Sequence, residues 1–166
     1  MKENVCCFTG HRSLPPEDVL QIKLNLRETL LSLIDKGVHS FVAGGAVGFD
    51  MLASFCVLDL KRLHPEIRLI IAIPFAGWNR LFSESDKIKT ADLLRQTDEI
   101  ITVSSVGGNG AYYARNRYMA DHSGYCISYV TKRSGGSFYT VNYAKSKGVK
   151  VIPIIPDDPT LFSLFE

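Results

Sequence analysis

The chain has 166 residues, 46% hydrophobic and 22% charged, with a formal net charge of +2. Such a composition describes an ordinary soluble globule, expected as one domain over residues 1–166 with a substantial core. It argues against a dedicated nucleic-acid binder, since no stretch concentrates Lys and Arg, and against a bilayer span, since no apolar run approaches about 20 residues.

The N-terminus carries one Lys before an apolar run of only Val5 to Phe8, which is no signal peptide. Cys6, Cys7, Cys56 and Cys126 lack metal-ligand spacing and read as reduced, apolar core residues. The expected setting is cytoplasmic, without a membrane and without a metal.

Val5 to Thr9 reads as a first strand buried on both faces, ending in the loop Gly10-His11-Arg12-Ser13. Pro15-Pro16-Glu17-Asp18 opens a helix whose apolar positions Val19, Ile22, Leu26, Leu30 and Leu33 keep helical spacing, and Lys36-Gly37 stops it. Strand two is Ser40 to Ala43. It turns through Gly44-Gly45-Ala46-Val47-Gly48-Phe49-Asp50 into a helix reaching roughly Leu63. Arg68 to Ile73 is the most apolar strand and is expected at the centre of the sheet. The loop Pro74 to Arg80 comes after it and carries the sole Trp.

Ser83 with Asp86 forms a capping-box pattern for a helix to about Gln96. Glu99 to Val103 is strand four, and Gly107 to Gly110 is a loop tip. Ala111 to Ser123 is helical, Tyr125 to Val130 is strand five, and Ser137 to Lys147 is a helix closed by Gly148. Val149 to Ile154 is the last strand. In the tail, the apolar run Leu161 to Phe165 has to pack somewhere, on its own domain or at the seam of a homodimer. Strands alternating with helices predict an α/β three-layer sandwich, a mainly parallel sheet of about six strands with helices on both faces. In such sheets a ligand lies beyond the carboxyl ends of the strands, where the strand order switches.

The unusual loops all fall at that edge. Two glycine turns, Gly44-Gly45 to Gly48 and Ser134-Gly135-Gly136-Ser137, each feed a helix start, where backbone N–H groups suit an anion such as phosphate. Glycines that only make tight turns are the plainer reading of either one alone. Arg115 shares a helix face with Met119 and is expected inward, with Arg117 outward; the Arg115 fork suits a phosphate or carboxylate. His11-Arg12 contacts the same anion or lies in an ordinary surface loop. Asp50 complements the helix dipole or holds a ribose hydroxyl. Trp78, Tyr112, Tyr113, Tyr139 and Tyr143 stack on a base or belong to the core.

Taken together, Phe8-Thr9-Gly10-His11-Arg12, Gly44 to Asp50, Arg115-Asn116 to Met119 with Asp121, and Ser134 to Tyr143 resemble the YpsA-like branch of the SLOG superfamily. The resemblance spans nearly the whole chain and implies a Rossmann-like fold that binds nucleotides or nucleotide derivatives, of the nucleoside-phosphate, ADP-ribose or NAD type. It extends the ligand-binding set to Gly10, His11, Arg12, Gly44, Gly45, Gly48, Asp50, Arg115, Asn116, Ser134, Gly135, Gly136, Ser137, Thr140 and Asn142.

The LOG-type phosphoribohydrolases of that superfamily carry an Arg in an RKxxM helix and a Glu ending PGGxGTxxE. Arg115 and Met119 match the helix, with Asn116 in place of Lys. Asn142 stands where the Glu is expected, and Ser134 where the Pro is. Asn cannot transfer a proton as a carboxylate does, so the resemblance supports binding, as a sensor or regulatory module, rather than hydrolysis. An N-glycosidic hydrolase would have to use Arg115 with Asp50, His11 or Asp121. DNA-processing relatives in the superfamily bind single strands, but nucleic acid is not expected here, because no basic stripe with interleaved aromatics stands out.

Overall fold

The computed structural model describes residues 1–154. The Leu161–Phe165 run lies outside the described residues. The elements in chain order are β1 (Val5–Gly10), α1 (Val19–Asp35), β2 (Ser40–Ala43), α2 (Phe49–Lys61), β3 (Arg68–Ile73), α3 (Glu84–Gln96), β4 (Glu99–Thr102), α4 (Asn109–Asp121), β5 (Tyr125–Tyr129), α5 (Gly136–Ser146) and β6 (Lys150–Pro153). A single turn of 3-10 helix, Pro16–Asp18, leads into α1.

The strands form one six-stranded sheet in the order β4-β3-β2-β1-β5-β6. Every pairing is parallel. Successive side chains alternate between faces. Cys6, Phe8, Phe41, Leu69 and Ile71 therefore meet the buried stripe of α1 (Ile22, Leu26, Leu30, Leu33), together with α2 and Leu93 of α3. Cys7, Val42, Ile70 and Cys126 face the other way, onto Met119 and Ala120 of α4 and Ala144 of α5. The result is the expected α/β Rossmann-like sandwich with helices on both faces.

Three crossovers step from β1 through β2 and β3 to β4, and the fourth, through α4, returns to set β5 on the opposite side of β1. The strand order therefore switches between β1 and β5, where Cys7 pairs with Cys126 and Gly10 with Tyr129. One expectation is corrected. β3 is not central but second from the β4 edge. Its apolar run reports burial on both faces, which any interior parallel strand requires, and not the middle position. The middle belongs to β2 and β1.

One local reading shifts and another holds. The Gly107–Gly110 stretch is not a free tip, because Gly108 caps α4 and Asn109 is its first residue. Ser83 caps α3 as its sequence pattern requires, accepting from the Asp86 amide at 3.1 Å.

Candidate functional site

A cleft of about 590 Å³ opens beyond the carboxyl ends of β1 and β5. Phe8, Thr9 and Gly10 form its floor. His11, Arg12, Ala46 and Asp50 line one side, and Asn109, Tyr112, Tyr113, Arg115, Asn116 and Met119 of α4 line the other. Ser134 to Ser137, the entry to α5, closes the rim. A second lobe of about 340 Å³ shares Arg12, Ala46, Tyr112 and Arg115 and adds Val47, Trp78, Leu81 and Phe82.

Of the residues singled out from sequence, Gly10, His11, Arg12, Asp50, Arg115, Asn116, Ser134, Gly135, Gly136 and Ser137 meet in this cleft. Gly44, Gly45 and Gly48 lie behind it and hold its wall. Thr140 is buried and donates from Oγ1 to the Gly136 carbonyl at 2.9 Å, steadying the first turn of α5. Asn142 is exposed and outside the cleft lining.

The two glycine turns differ in a way their sequences do not reveal. The first is already satisfied from within. Asp50 is 6% exposed, and its Oδ2 accepts from the Gly44 amide at 2.9 Å. The Ala46 amide also bonds to this carboxylate. The turn's own carboxyl thus engages two of its N–H groups, those of Gly44 and Ala46. Burial pushes the Asp50 carboxyl above its ordinary range, against the pull of the Arg115 charge and of those amides. Gly48 adopts a positive φ of 78°. A side chain there would collide with the carbonyls of His11 and Arg12, so glycine lets the turn pack against the β1–α1 loop.

Arg115 is 5% exposed and points inward. Its Nη1 donates to the Gly44 carbonyl and its Nε to Asn116 Oδ1 at 2.8 Å. Burial lowers the pKa of the guanidinium, Asp50 opposes the shift, and the like charge of Arg12 adds to it. Tyr112 lies between the two cations, with the Arg12 and Arg115 guanidinium carbons 5.6 and 5.7 Å from its ring centre. Two guanidiniums with one carboxylate between them give this wall a net positive charge.

The second glycine turn is open. A Cβ built on Gly135 or Gly136 meets nothing within 4 Å. The first amides of α5 have no acceptor within the helix, as at any helix start. His11 Nε2 accepts from the Thr131 amide at 2.8 Å, tying the β1 loop to the loop that precedes this turn. That bond requires a neutral ring protonated on Nδ1. Burial and the nearby Lys132 lower its pKa from 6.5.

Sequence reasoning missed Asn109, whose signal was Gly108 standing as a helix cap. It also missed a charge asymmetry. Residues 109–150 hold Arg115, Arg117, Lys132, Arg133, Lys145, Lys147 and Lys150 against the single acid Asp121. No basic stripe with interleaved aromatics stands out in the sequence, yet the fold sets two cations beside tyrosines. The packing of α4 on α5 brings Arg117 to Tyr139, and Lys147 stands over Tyr143 one turn along from it. Among the described residues no cluster of three or more His, Cys, Asp or Glu is set to hold a metal. No helix among them is long and apolar enough to cross a membrane.

A family model described as the YspA SLOG family matches residues 6–152. The chain is 33% identical over 139 residues to an uncharacterised SPbeta prophage-derived protein, YoqJ, of Bacillus subtilis, covering 74% of this chain and 81% of that one. It is 28% identical over 132 residues to a UPF0398 protein of Halalkalibacterium halodurans, covering 78% and 70%.

Among solved structures, DNA processing protein A (DprA) of Streptococcus pneumoniae superposes with a TM-score of 0.67 at 18% identity, over 93% of this chain and 51% of that one. DprA of Helicobacter pylori, described in a single-stranded DNA binding mode, gives 0.65 at 17% identity, over 99% and 73%. This chain therefore spans about half of the pneumococcal protein, and at these identities the likeness is one of fold. With its motifs brought to one sheet edge and the family model matched from β1 to β6, the chain belongs to the YpsA family of SLOG proteins.

Proposed function

We propose that this protein binds a nucleotide or nucleotide-derived ligand, a nucleoside phosphate or an ADP-ribose-like molecule, in the cleft at the carboxyl edge of the sheet, and that it acts as a sensor or regulatory module. The observation that carries the reading is the convergence of Arg12 and Arg115 on Tyr112, facing an open helix start at Gly135-Gly136-Ser137. A phosphate suits the α5 amides and the Arg12 fork. Tyr112 and Tyr113 offer ring faces to a base, and Asn109 and Asn116 offer amides to ribose or base edges. Asp86 lies in the second lobe, and Asp50, the one carboxylate lining the main cleft, is already engaged by the glycine turn. That favours binding over turnover.

The test is thermal stabilisation by AMP, ADP-ribose, NAD and inorganic phosphate. A ligand at one hundred times its Kd should add about 2.7 kcal/mol. Arg12→Ala and Gly136→Leu should remove the effect while leaving the unliganded melting profile near wild type. Absence of stabilisation by every nucleotide would reject the reading.

A second reading has its own support. The excess of Lys and Arg in residues 109–150 and the fold shared with DprA favour a nucleotide that is part of a single strand, seated in the same cleft.

A further inference from the structure

We propose that the outer surface of α4 and α5 is a track for single-stranded nucleic acid, leading away from the cleft over a row of three tyrosines. The proposal rests on the reading of the cleft as the seat of one nucleotide, and it assigns a path to the nucleotides beyond that one.

The row starts inside the cleft. Tyr113 lines it and meets Tyr139 edge to face, with ring centres 4.9 Å apart and planes at 83°. Tyr139 and Tyr143, one turn apart on α5, lie nearly parallel at 6.2 Å and 22°. An aromatic cluster this close would ordinarily be core, yet Tyr113 is 40% and Tyr139 36% exposed. Two of the hydroxyls have partners on α4. Arg117 Nη1 donates to the Tyr139 hydroxyl at 3.4 Å, and the Tyr143 hydroxyl donates to Asp121 Oδ1 at 2.7 Å. Lys147 sits over the far ring, its Nζ 5.5 Å from the Tyr143 centre.

Tyr143 is half-buried against the core and anchors the row, while the exposed Tyr113 and Tyr139, with Arg117 and Lys147 beside them, offer what a strand of stacked bases and phosphates needs. An apolar protein partner fits less well, because every ring edge here is hydroxylated and the neighbours are charged. Asp121, the sole acid of residues 109–150, is engaged by the Tyr143 hydroxyl. A polyanion would therefore meet a surface whose other charges are positive.

The experiment is fluorescence anisotropy of the full chain with labelled thymidine monophosphate and with thymidine oligomers of increasing length, repeated across a salt series. We expect affinity to rise with length and then level off. Tyr139→Ala should weaken the longer oligomers on the order of tenfold. Lys147→Ala should lower their salt slope by about one. Neither change should alter mononucleotide binding, and both sites are on the surface, so the fold should hold.

Equal binding of monomer and oligomer, indifferent to Tyr139→Ala, would overturn the track and leave the cleft reading standing. Oligomer binding that Tyr139→Ala weakens, with no mononucleotide binding, would support the track and reject the cleft reading. Absence of binding by either probe would reject both. A Tyr139→Ala variant with altered sedimentation but unaltered oligomer binding would overturn the track and reassign the row to contact between copies of the chain.

Discussion

Asp50 and Arg115 hold Gly44 from opposite ends, the carboxylate taking its amide at 2.9 Å and the guanidinium its carbonyl. A Cβ on Gly44 would lie 2.7 Å from Arg115 Nη1 and 2.8 Å from Asp50 Oδ2. A side chain between the two charges would therefore have to displace the Arg115 guanidinium, the Asp50 carboxyl or both. The wall of the cleft is in this way set by β2, α2 and α4 together.

Gly44→Ala should consequently cost about 1–3 kcal/mol, the usual penalty for forcing atoms into a filled site. Gly136→Ala places its methyl in open space and should stay within about 0.5 kcal/mol of wild type. Urea denaturation of the two variants side by side measures the contrast. Equal stabilities would mean that the Asp50–Gly44–Arg115 arrangement is not held tightly.

Arg115→Gln removes a charged donor from a buried carbonyl and leaves Asp50 without its nearest compensation. A loss of roughly 1.5–3 kcal/mol is expected from the hydrogen bond. Combining it with Asp50→Asn should give a double variant less destabilised than the sum of the singles, because the two groups share one site. Additive losses in denaturation experiments would argue that the two act independently.

His11 gives the stability a pH dependence of known sign. Its folded pKa is lowered from 6.5 by burial and by Lys132, so between the two values the unfolded chain binds more protons. This contribution is fully present above 6.5 and is lost as pH falls through the folded value. Protonation also removes the acceptor that the Thr131 amide uses. Asp50, whose pKa is raised, contributes in the opposite sense, losing stability as pH rises from 3.8. His11→Gln isolates the first effect, since Asp50 is common to both chains. Stability measured at steps from pH 7.5 to 5 should fall more steeply for wild type than for His11→Gln.

Release of free base from adenosine, guanosine or cytidine monophosphate is expected to be absent or poor. The structure also changes what Asn142→Glu should do. Asn142 is exposed and outside the cleft lining, so a carboxylate there would not stand beside a sugar bound in the cleft. The variant should remain inactive in a chromatographic assay for free base. Robust turnover by wild type, lost in Asp50→Asn, would show that the buried carboxylate can work as a catalytic group.

The order of elements was legible because apolar runs of strand length alternate with stretches of helical spacing, as in Ile22, Leu26, Leu30 and Leu33. This alternation was also enough to put all the unusual loops on one sheet edge. The position of β3 was not legible, since burial on both faces is common to all interior strands. The bond from Asp50 back to Gly44 spans six residues and depends on the exact path of the turn. Spacing alone presents such an acid as a dipole partner or a ligand contact. The tyrosine row joins Tyr113 to residues on another helix, so no local window contains it.

Trp78 donates from its indole N–H to the Gly45 carbonyl at 3.1 Å, and it is the only tryptophan in the chain. The glycine turn behind the cleft therefore carries a built-in optical reporter. Any event that shifts Gly45, or that wets the lobe lined by Trp78, Leu81 and Phe82, should change the colour and yield of intrinsic emission. Stopped-flow mixing can track that emission in the unlabelled protein, with no second indole to dilute the signal.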